Sequence, residues 1–239
     1  MISLRNSCNI YYHNKMEVTA LNDKSTKLLD YVQTLDNDLS VGGFSHVFDL
    51  QTRIAEGRIQ SQEELEGFIL HPMMNRLVRQ DGAAIQAIYA AADQRDIRQI
   101  ARIDRYILGR IAAHENDEAV RQRGRRLLKL AQALYPWLNL KVLDELAQKE
   151  LSPVCLATAH AYVNYQLGSS RDHTVYGYMQ SAVCTCIQLA ARSLSIPPHD
   201  AKALAGKWTA EMERAWTAEK DSLPTDLVNI QENDSHIAS

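Results

Sequence analysis

The chain has 239 residues, of which 26 are Lys or Arg and 29 are Asp or Glu, so its formal net charge at pH 7 is −3. This balance gives no sign of a polyanionic or polycationic partner. Hydrophobic residues make up 46% and charged residues 23%, which excludes a largely disordered chain. Its 10 Gly and 6 Pro are about half of average usage, which favours long helices over many short strands.

The sequence carries no sign of a membrane or secretory segment. No apolar run approaches the ~18 residues that a bilayer-spanning helix requires, and the N-terminal residues lack the continuous apolar stretch of a secretory signal. We therefore expect a cytoplasmic protein without a membrane partner. The four cysteines are too few for a disulfide scaffold, and they contain no CxxC pair that would predict a zinc site.

Apolar residues recur three and four positions apart along most of the chain, which is the spacing of amphipathic helices. Asp104 and the neighbouring arginines fall between the members of the clearest stripe, so we assign them to its charged face. That stripe consists of five isoleucines, Ile97, Ile100, Ile103, Ile107 and Ile111. The predicted helices are 24–35, 44–57, 61–72, 81–92, 97–111, 115–135, 140–146, 152–168, 173–194 and 200–223.

Capping and breaking residues predict several of the helix ends. Ser61 followed by Glu64 fits a capping box, in which the hydroxyl and the carboxylate each accept a free backbone N–H. Pro72 is expected to kink or end the helix that begins at this capping box. Ser152 with Pro153 predicts an N-cap and the first helical position of a later helix.

The predicted elements include no convincing strand, internal repeat or Gly- and Ser-rich linker. The sequence therefore predicts an all-α, single-domain bundle of about ten helices with short connections. We place this domain at residues 24–222, after an N-terminal extension at 1–23 and before a polar C-terminal tail at 223–239.

Motifs for nucleotide or metal chemistry are absent from the sequence. There is no GxxxxGK[ST] loop to hold phosphates. His114-Glu115 begins like a zinc-protease helix but lacks a second His four positions on. Cys184 and Cys186 are two apart on a predicted helix, so their thiols point in nearly opposite directions. We expect no cofactor and no metal ligand.

Two groups of residues leave other functions open. Four arginines within six residues could attract a phosphate or an acidic protein surface, or could simply form a solvated helix face. They also leave open a helical nucleic-acid-binding regulator. An all-α enzyme with a buried site is a second alternative, using His160, Tyr162 and Cys155. The four arginines are Arg121, Arg123, Arg125 and Arg126.

One segment has a specific resemblance. Residues 41–46, Val-Gly-Gly-Phe-Ser-His, followed by Phe48 and Leu50, resemble the signature of the UreF family of urease accessory proteins. The glycine pair allows positive φ and close backbone approach, and the free N–H groups of a helix start can receive a partner's acidic or carbonyl group. Residues 118–128, with Glu118, Arg121 and a Gly-Arg-Arg-Leu-Leu run, resemble the family's middle segment.

The resemblance, which spans about residues 28–222, implies a function as well as a fold. UreF proteins are all-α chaperones that bridge UreD (also called UreH) to the nickel-carrying GTPase UreG and so deliver nickel to apo-urease. By this resemblance the chain is a homodimeric adaptor, without catalysis and without nucleic acid as partner. Gln51 stands where the family has Glu, and the family's C-terminal tail is not matched. The implied partner-binding residues are Gly42, Gly43, Phe44, Ser45, His46, Gln51, Arg121, Gly124 and Arg125.

Overall fold

The computed structural model describes residues 50–111, 117–148 and 152–223 of the chain. Within these ranges the elements are all helical and no strand occurs, which confirms the predicted all-α fold. The predicted helix at 24–35 and most of the helix at 44–57 lie outside the described residues. The α-helices are α1 (Leu50–Ala55), α2 (Gln62–Phe68), α3 (Ala83–Asp93), α4 (Ile97–Ile111), α5 (Asp117–Leu134), α6 (Lys141–Gln148), α7 (Leu156–Leu167), α8 (Arg171–Ser193) and α9 (Pro198–Glu219).

Two π-helical segments, Ile69–Met73 and Arg76–Gly82, join α2 to α3 in one uninterrupted run. The described residues therefore contain eight continuous helical runs, compared with the ten predicted for the whole chain. No helix among them is both long enough and apolar enough to cross a membrane.

The start of α2 follows the predicted capping box in part. Ser61 is the N-cap, and its hydroxyl accepts the Glu64 N–H at 3.2 Å. The Glu64 carboxylate, however, accepts the N–H of Gln60 at 2.6 Å, one residue before the position that a capping box requires. The helix start is therefore correctly predicted. Only the hydrogen bond to the Glu64 carboxylate differs, because its donor is Gln60 and not Ser61.

Pro72 does not end the helical run, so the predicted end is not found, although the α-helix changes to a π-helix around this residue. Pro72 lies inside the first π-helical segment, and the Met74 N–H reaches the carbonyl of Ile69, five residues back. A π turn moves each donor one residue further along than an α turn does. We infer that this wider turn gives the proline ring room beside the carbonyl that it would strike in an α-helix.

The described residues belong to two compact units. The first unit contains residues 50–76 and 176–216, and the second contains 77–175 and 217–223. The domain boundaries of the sequence analysis remain a prediction. The buried apolar core of the first unit includes Leu50, Leu65, Ile69, Met73, Met179, Val183, Trp208, Met212 and Trp216.

In the second unit, α7 packs against α3 and α5, and α3 also packs against α4. Small side chains let helix backbones come near to one another, and five alanines of α3 are buried in this packing: Ala83, Ala84, Ala87, Ala91 and Ala92. Gly168, with φ +77°, ends α7 in the left-handed conformation that glycine favours. The buried apolar core that these helices share includes Ile85, Ile88, Ile100, Ile103, Leu127, Ala159 and Val163.

Candidate functional site

The arginine-rich helix α5 touches the loop 152–155 at a glycine. A Cβ atom added to Gly124 would lie 2.8 Å from the carbonyl carbon of Val154 and 2.9 Å from that of Cys155, and nearer still to the Val154 oxygen. Real Cβ atoms do not approach backbone this closely. Because glycine has no Cβ, it alone allows α5 to pack on this loop at the observed distance.

This contact fixes how α5 presents its arginines. Arg123 is buried, with 7% of its surface exposed, whereas Arg126 is exposed and Arg121 and Arg125 are half-buried. Residues four apart share one face of a helix, so Arg121 and Arg125 lie side by side one turn apart. We call these two residues the arginine pair. The solvated-face interpretation therefore describes Arg126 well, but not Arg123.

The loop 152–155 is held by a buried carboxylate from α4. Asp104 is fully buried and accepts the N–H groups of Val154 and Cys155, each at 2.7 Å. It also accepts the hydroxyls of Ser152 and Thr158. A buried carboxylate is tolerated when its oxygens are hydrogen-bonded, and a negative charge is favoured at a helix N-terminus. Asp104, which lies on α4, thus accepts the hydrogen bonds of the two backbone N–H groups just before α7.

The assignment of Asp104 to a charged, solvent-facing side of α4 is wrong. Position 104 lies four residues after Ile100 and three before Ile107, which places it on the buried face of the helix. The sequence signal was therefore present: a single acidic residue at a stripe position, where burial requires hydrogen-bond donors. What the sequence does not show is that those donors come from a loop about fifty residues away.

The predicted N-cap at Ser152-Pro153 is also wrong. Helix α7 begins at Leu156, and its N-cap position is Cys155, whose side chain makes no capping hydrogen bond. The Ser152 hydroxyl instead donates to Asp104. Asp104 accepts the N–H groups of Val154 and Cys155, the two residues before α7, so the start of this helix is anchored from α4 and not by Ser152.

Val154 has a strained backbone. Its φ is +56°, a left-handed conformation that β-branched residues rarely adopt, and its side chain is fully buried. Such a conformation costs about 1–3 kcal/mol and persists only where the surroundings impose it. Here Asp104 accepts its N–H, and Gly124 leaves room for its carbonyl.

The residues of the alternative enzyme site are buried and not activated. Burial, with the Asp104 carboxylate adding to it, raises the pKa of the Cys155 thiol well above its usual value, and the thiol faces the Asp104 carbonyl at 3.7 Å. The Nε2–H of His160 donates to the Thr174 carbonyl at 3.1 Å, and burial lowers the pKa of this imidazole to about 4. Burial also raises the pKa of Tyr162. Since the thiolate is the reactive form of cysteine, this arrangement does not favour the enzyme hypothesis.

The predicted partner-binding residues are only partly within the described chain. Gly42, Gly43, Phe44, Ser45 and His46 lie outside it. Gln51 is exposed in the first turn of α1, in the first unit. Arg121, Gly124 and Arg125 lie on α5 in the second unit, with Gly124 buried against the loop 152–155. The structure thus brings Arg121 and Arg125 together and gives Gly124 a packing contact.

No three His, Cys, Asp or Glu side chains converge in a way that could hold a metal ion within residues 50–111, 117–148 and 152–223. Asp104, Val154 and Thr158 belong to the site but were not predicted from the sequence. Of these, only Asp104 could have been found from the helical stripe.

Comparison with known proteins identifies the family. The UreF family model matches residues 59–207 of the chain. Three relatives, each named urease accessory protein UreF, match about three quarters of their own lengths. The protein from Lachnoclostridium phytofermentans is 30% identical over 169 residues, which cover 71% of this chain and 74% of the relative. The proteins from Geobacillus kaustophilus and Bacillus sp. strain TB-90 are each 26% identical, over 178 and 174 residues, covering 74% and 73% of this chain and 77% of each relative. The chain therefore belongs to the UreF family of urease accessory proteins.

Proposed function

We propose that the chain is an adaptor in urease maturation, bridging UreD/UreH and the GTPase UreG so that nickel reaches apo-urease. In this proposal it works in the cytoplasm, as a homodimer and without catalysis of its own. The observation that carries the proposal is the UreF family match over residues 59–207. A protein of this kind acts through surfaces, so the proposal requires surfaces that are chemically specific.

The arginine pair supports one such surface. Arg121 and Arg125 are half-buried, so part of each side chain is covered while part stays open to a partner. Guanidinium groups bind carboxylates and phosphates with two parallel hydrogen bonds, which gives orientation as well as attraction. The contact of Gly124 with Val154 and Cys155 holds the backbone that carries the pair. We propose that the arginine pair contacts an acidic surface of UreG or UreD.

Gln51 supports a second surface, five residues after the end of the glycine-containing segment 41–46. It is exposed in the first turn of α1. A glutamine amide both donates and accepts hydrogen bonds, whereas the glutamate expected from the family resemblance would only accept. We propose that Gln51 lies at the partner interface together with Gly42, Gly43, Phe44, Ser45 and His46.

Co-purification tests the adaptor and its two surfaces. The tagged chain is mixed with UreG and, separately, with UreD. We expect the wild-type chain to retain both, and Arg121→Glu with Arg125→Glu, or Ser45→Trp, to retain at least about tenfold less of one partner. Lys202→Glu changes an exposed lysine on α9 and is expected to retain both. Equal recovery with every variant would reject the two surfaces.

Activation of urease tests the function itself. Apo-urease is incubated with nickel, GTP, UreD and UreG, with and without the chain, and urease activity is measured. We expect activation to depend on the chain and to fall with the variants that lose a partner. Equal activation without the chain would reject the adaptor function, whichever surfaces bind.

A further inference from the structure

A second basic surface lies in a groove between α4 and α6 of the second unit. The groove is an open cavity of about 390 Å³. It does not include the arginine pair of α5. Its lining includes Ile97, Arg98, Ala101, Arg102, Arg105 and Leu146.

Three arginines form one side of this groove. Arg98, Arg102 and Arg105 follow one another at four and three residues along α4, so they project from one face of the helix. All three are exposed, and none forms a salt bridge with any residue that the structure describes. Glu145 on α6 is the one acidic residue of the lining. The groove is therefore basic, and its three guanidinium groups are available to bind the carboxylates of a partner.

The floor of the groove is apolar. Ala101 and Leu146 are buried at its base, and Val142 is half-buried beside them. Ile97 lines the groove beside them with 42% of its surface exposed. Apolar surface left open and bordered by charge is typical of a site that another molecule covers.

We propose that this groove binds an acidic amphipathic segment of a partner protein. Its apolar side chains lie on Ala101 and Leu146, and its carboxylates lie against Arg98, Arg102 and Arg105. From Arg98 to Arg105 the helix rises by about 10 Å, which matches roughly two turns of a bound helix. The proposal does not rest on the contacts proposed above for UreG and UreD.

The lining distinguishes this partner from two others. Single-stranded nucleic acid is bound by aromatic side chains on which bases stack, and the residues that line the groove include no aromatic. A free phosphate or other small anion would engage the arginines but leave the apolar floor exposed to water. An acidic segment with apolar side chains satisfies both parts of the groove.

Fluorescence anisotropy tests the proposal with the full chain. The probe is a labelled synthetic peptide of fourteen residues with leucines on one helical face and glutamates on the other. We expect saturable binding that Arg102→Glu weakens by about tenfold. Lys202→Glu alters the net charge by the same amount elsewhere and should leave the dissociation constant within about twofold. Circular dichroism verifies that both variants are folded.

The apolar part of the groove is tested separately, at the exposed Ile97 and through the leucines of the peptide. Ile97→Ser is expected to weaken binding by about threefold to tenfold, because apolar contact is lost at an exposed position where folding tolerates the change. The same peptide with its leucines replaced by serines should bind at least about tenfold more weakly. Should Arg102→Glu fail to fold, Arg98→Gln with Arg102→Gln takes its place, since neutral replacements remove the attraction without adding repulsion.

Three results would overturn the proposal. The first is equal binding by wild type and Arg102→Glu. The second is equal binding of the leucine and serine peptides, which would reduce the groove to a general anion site. The third is that light scattering finds the groove occupied by a second copy of the chain, so that Arg102→Glu changes the mass of the particle and the peptide does not compete.

Discussion

Gly124 is the residue at which the packing of α5 is most sensitive to change. An added methyl group would lie 2.8 Å from the carbonyl carbon of Val154, so the loop or the helix must move. We expect Gly124→Ala to lower the free energy of unfolding by about 3 kcal/mol, as overpacking of a rigid backbone contact does. Urea unfolding followed by circular dichroism measures this change.

Gly109→Ala is the matched control for that substitution. Gly109 is exposed within α4, and an added Cβ there meets no atom within 4 Å. Alanine is the better helix former, so this variant should be more stable by about 0.5–1 kcal/mol. Two variants of equal stability would mean that the contact between α5 and the loop is absent in solution.

His160 gives the stability of the chain a dependence on pH. Burial lowers the pKa of its imidazole from 6.5 to about 4. In acid the unfolded chain binds a proton that the folded chain excludes, so stability is complete above pH 6.5 and falls as the pH drops toward 4. Between pH 8 and pH 5 this one group should cost about 2 kcal/mol of unfolding free energy.

Urea titrations at pH 8 and pH 5 measure that dependence. His160→Gln should flatten the difference between the two pH values, even though it lowers stability at both. His199→Gln, at an exposed position, should leave the difference unchanged. An equal difference for the wild type and His160→Gln would show that folding does not shift the pKa of His160.

At the scale of elements, Asp104 determines how α7 begins. Its carboxylate accepts two backbone N–H groups and two hydroxyls. Asparagine would replace one acceptor oxygen by an NH₂ donor and turn it toward other donors. We expect Asp104→Asn to lower the free energy of unfolding by about 3 kcal/mol.

Asp96→Asn is the control for the same change of atoms. The Asp96 carboxylate accepts the Gln99 N–H at 2.9 Å at the exposed start of α4. Asparagine is an equally good N-cap there, so this variant should change stability by less than about 0.5 kcal/mol. If both variants lose the same amount, the buried carboxylate has no special role in holding the loop.

The elements could be predicted to different degrees for physical reasons. The isoleucine stripe of α4 and the alanine-rich run of α3 were predicted within a residue or two, because their packing faces repeat at the helical period. The continuation of the helix past Pro72 could not be predicted, since it depends on a π turn that local propensity does not encode. The start of α7 was misplaced because the cap comes from Asp104, far away in sequence.

The site was predictable in a similar, partial way. The resemblance to UreF marked Gly124 as part of a motif, but its packing against Val154 required the folded chain. The arginine cluster was visible in the sequence, whereas its division into a buried Arg123, a half-buried pair and an exposed Arg126 was not. Helical periodicity places arginines on faces, and only tertiary contacts decide which face is covered.

At the scale of the whole molecule, the net charge of −3 conceals an uneven distribution. The arginine pair of α5 and the three arginines of the groove all belong to the second unit. Attraction between charged surfaces is screened beyond about 8 Å at physiological salt, so local clusters matter more for partner choice than the total. A nearly neutral chain can therefore present two basic surfaces to acidic partners.

The proposed homodimer can be tested through the three tryptophans of the chain. Trp208 and Trp216 are buried, whereas Trp137 is 61% exposed and lies close in sequence to Leu134, also exposed. We take these two exposed side chains as the candidate apolar patch of the homodimer, because association covers apolar surface. We expect iodide to quench Trp137 in dilute solution and to lose this effect as light scattering shows the mass rising from 27.0 kDa to twice that value.

Single substitutions assign that signal. Trp137→Phe should remove the quenchable fluorescence, and Trp208→Phe should retain it, because the Trp208 ring is inaccessible to iodide. Trp137→Ser should also hold the mass at 27.0 kDa at concentrations where the wild type doubles, since the apolar patch is removed. A mass that doubles while Trp137 stays quenchable would show that the two copies meet elsewhere, which leaves this patch for a different partner.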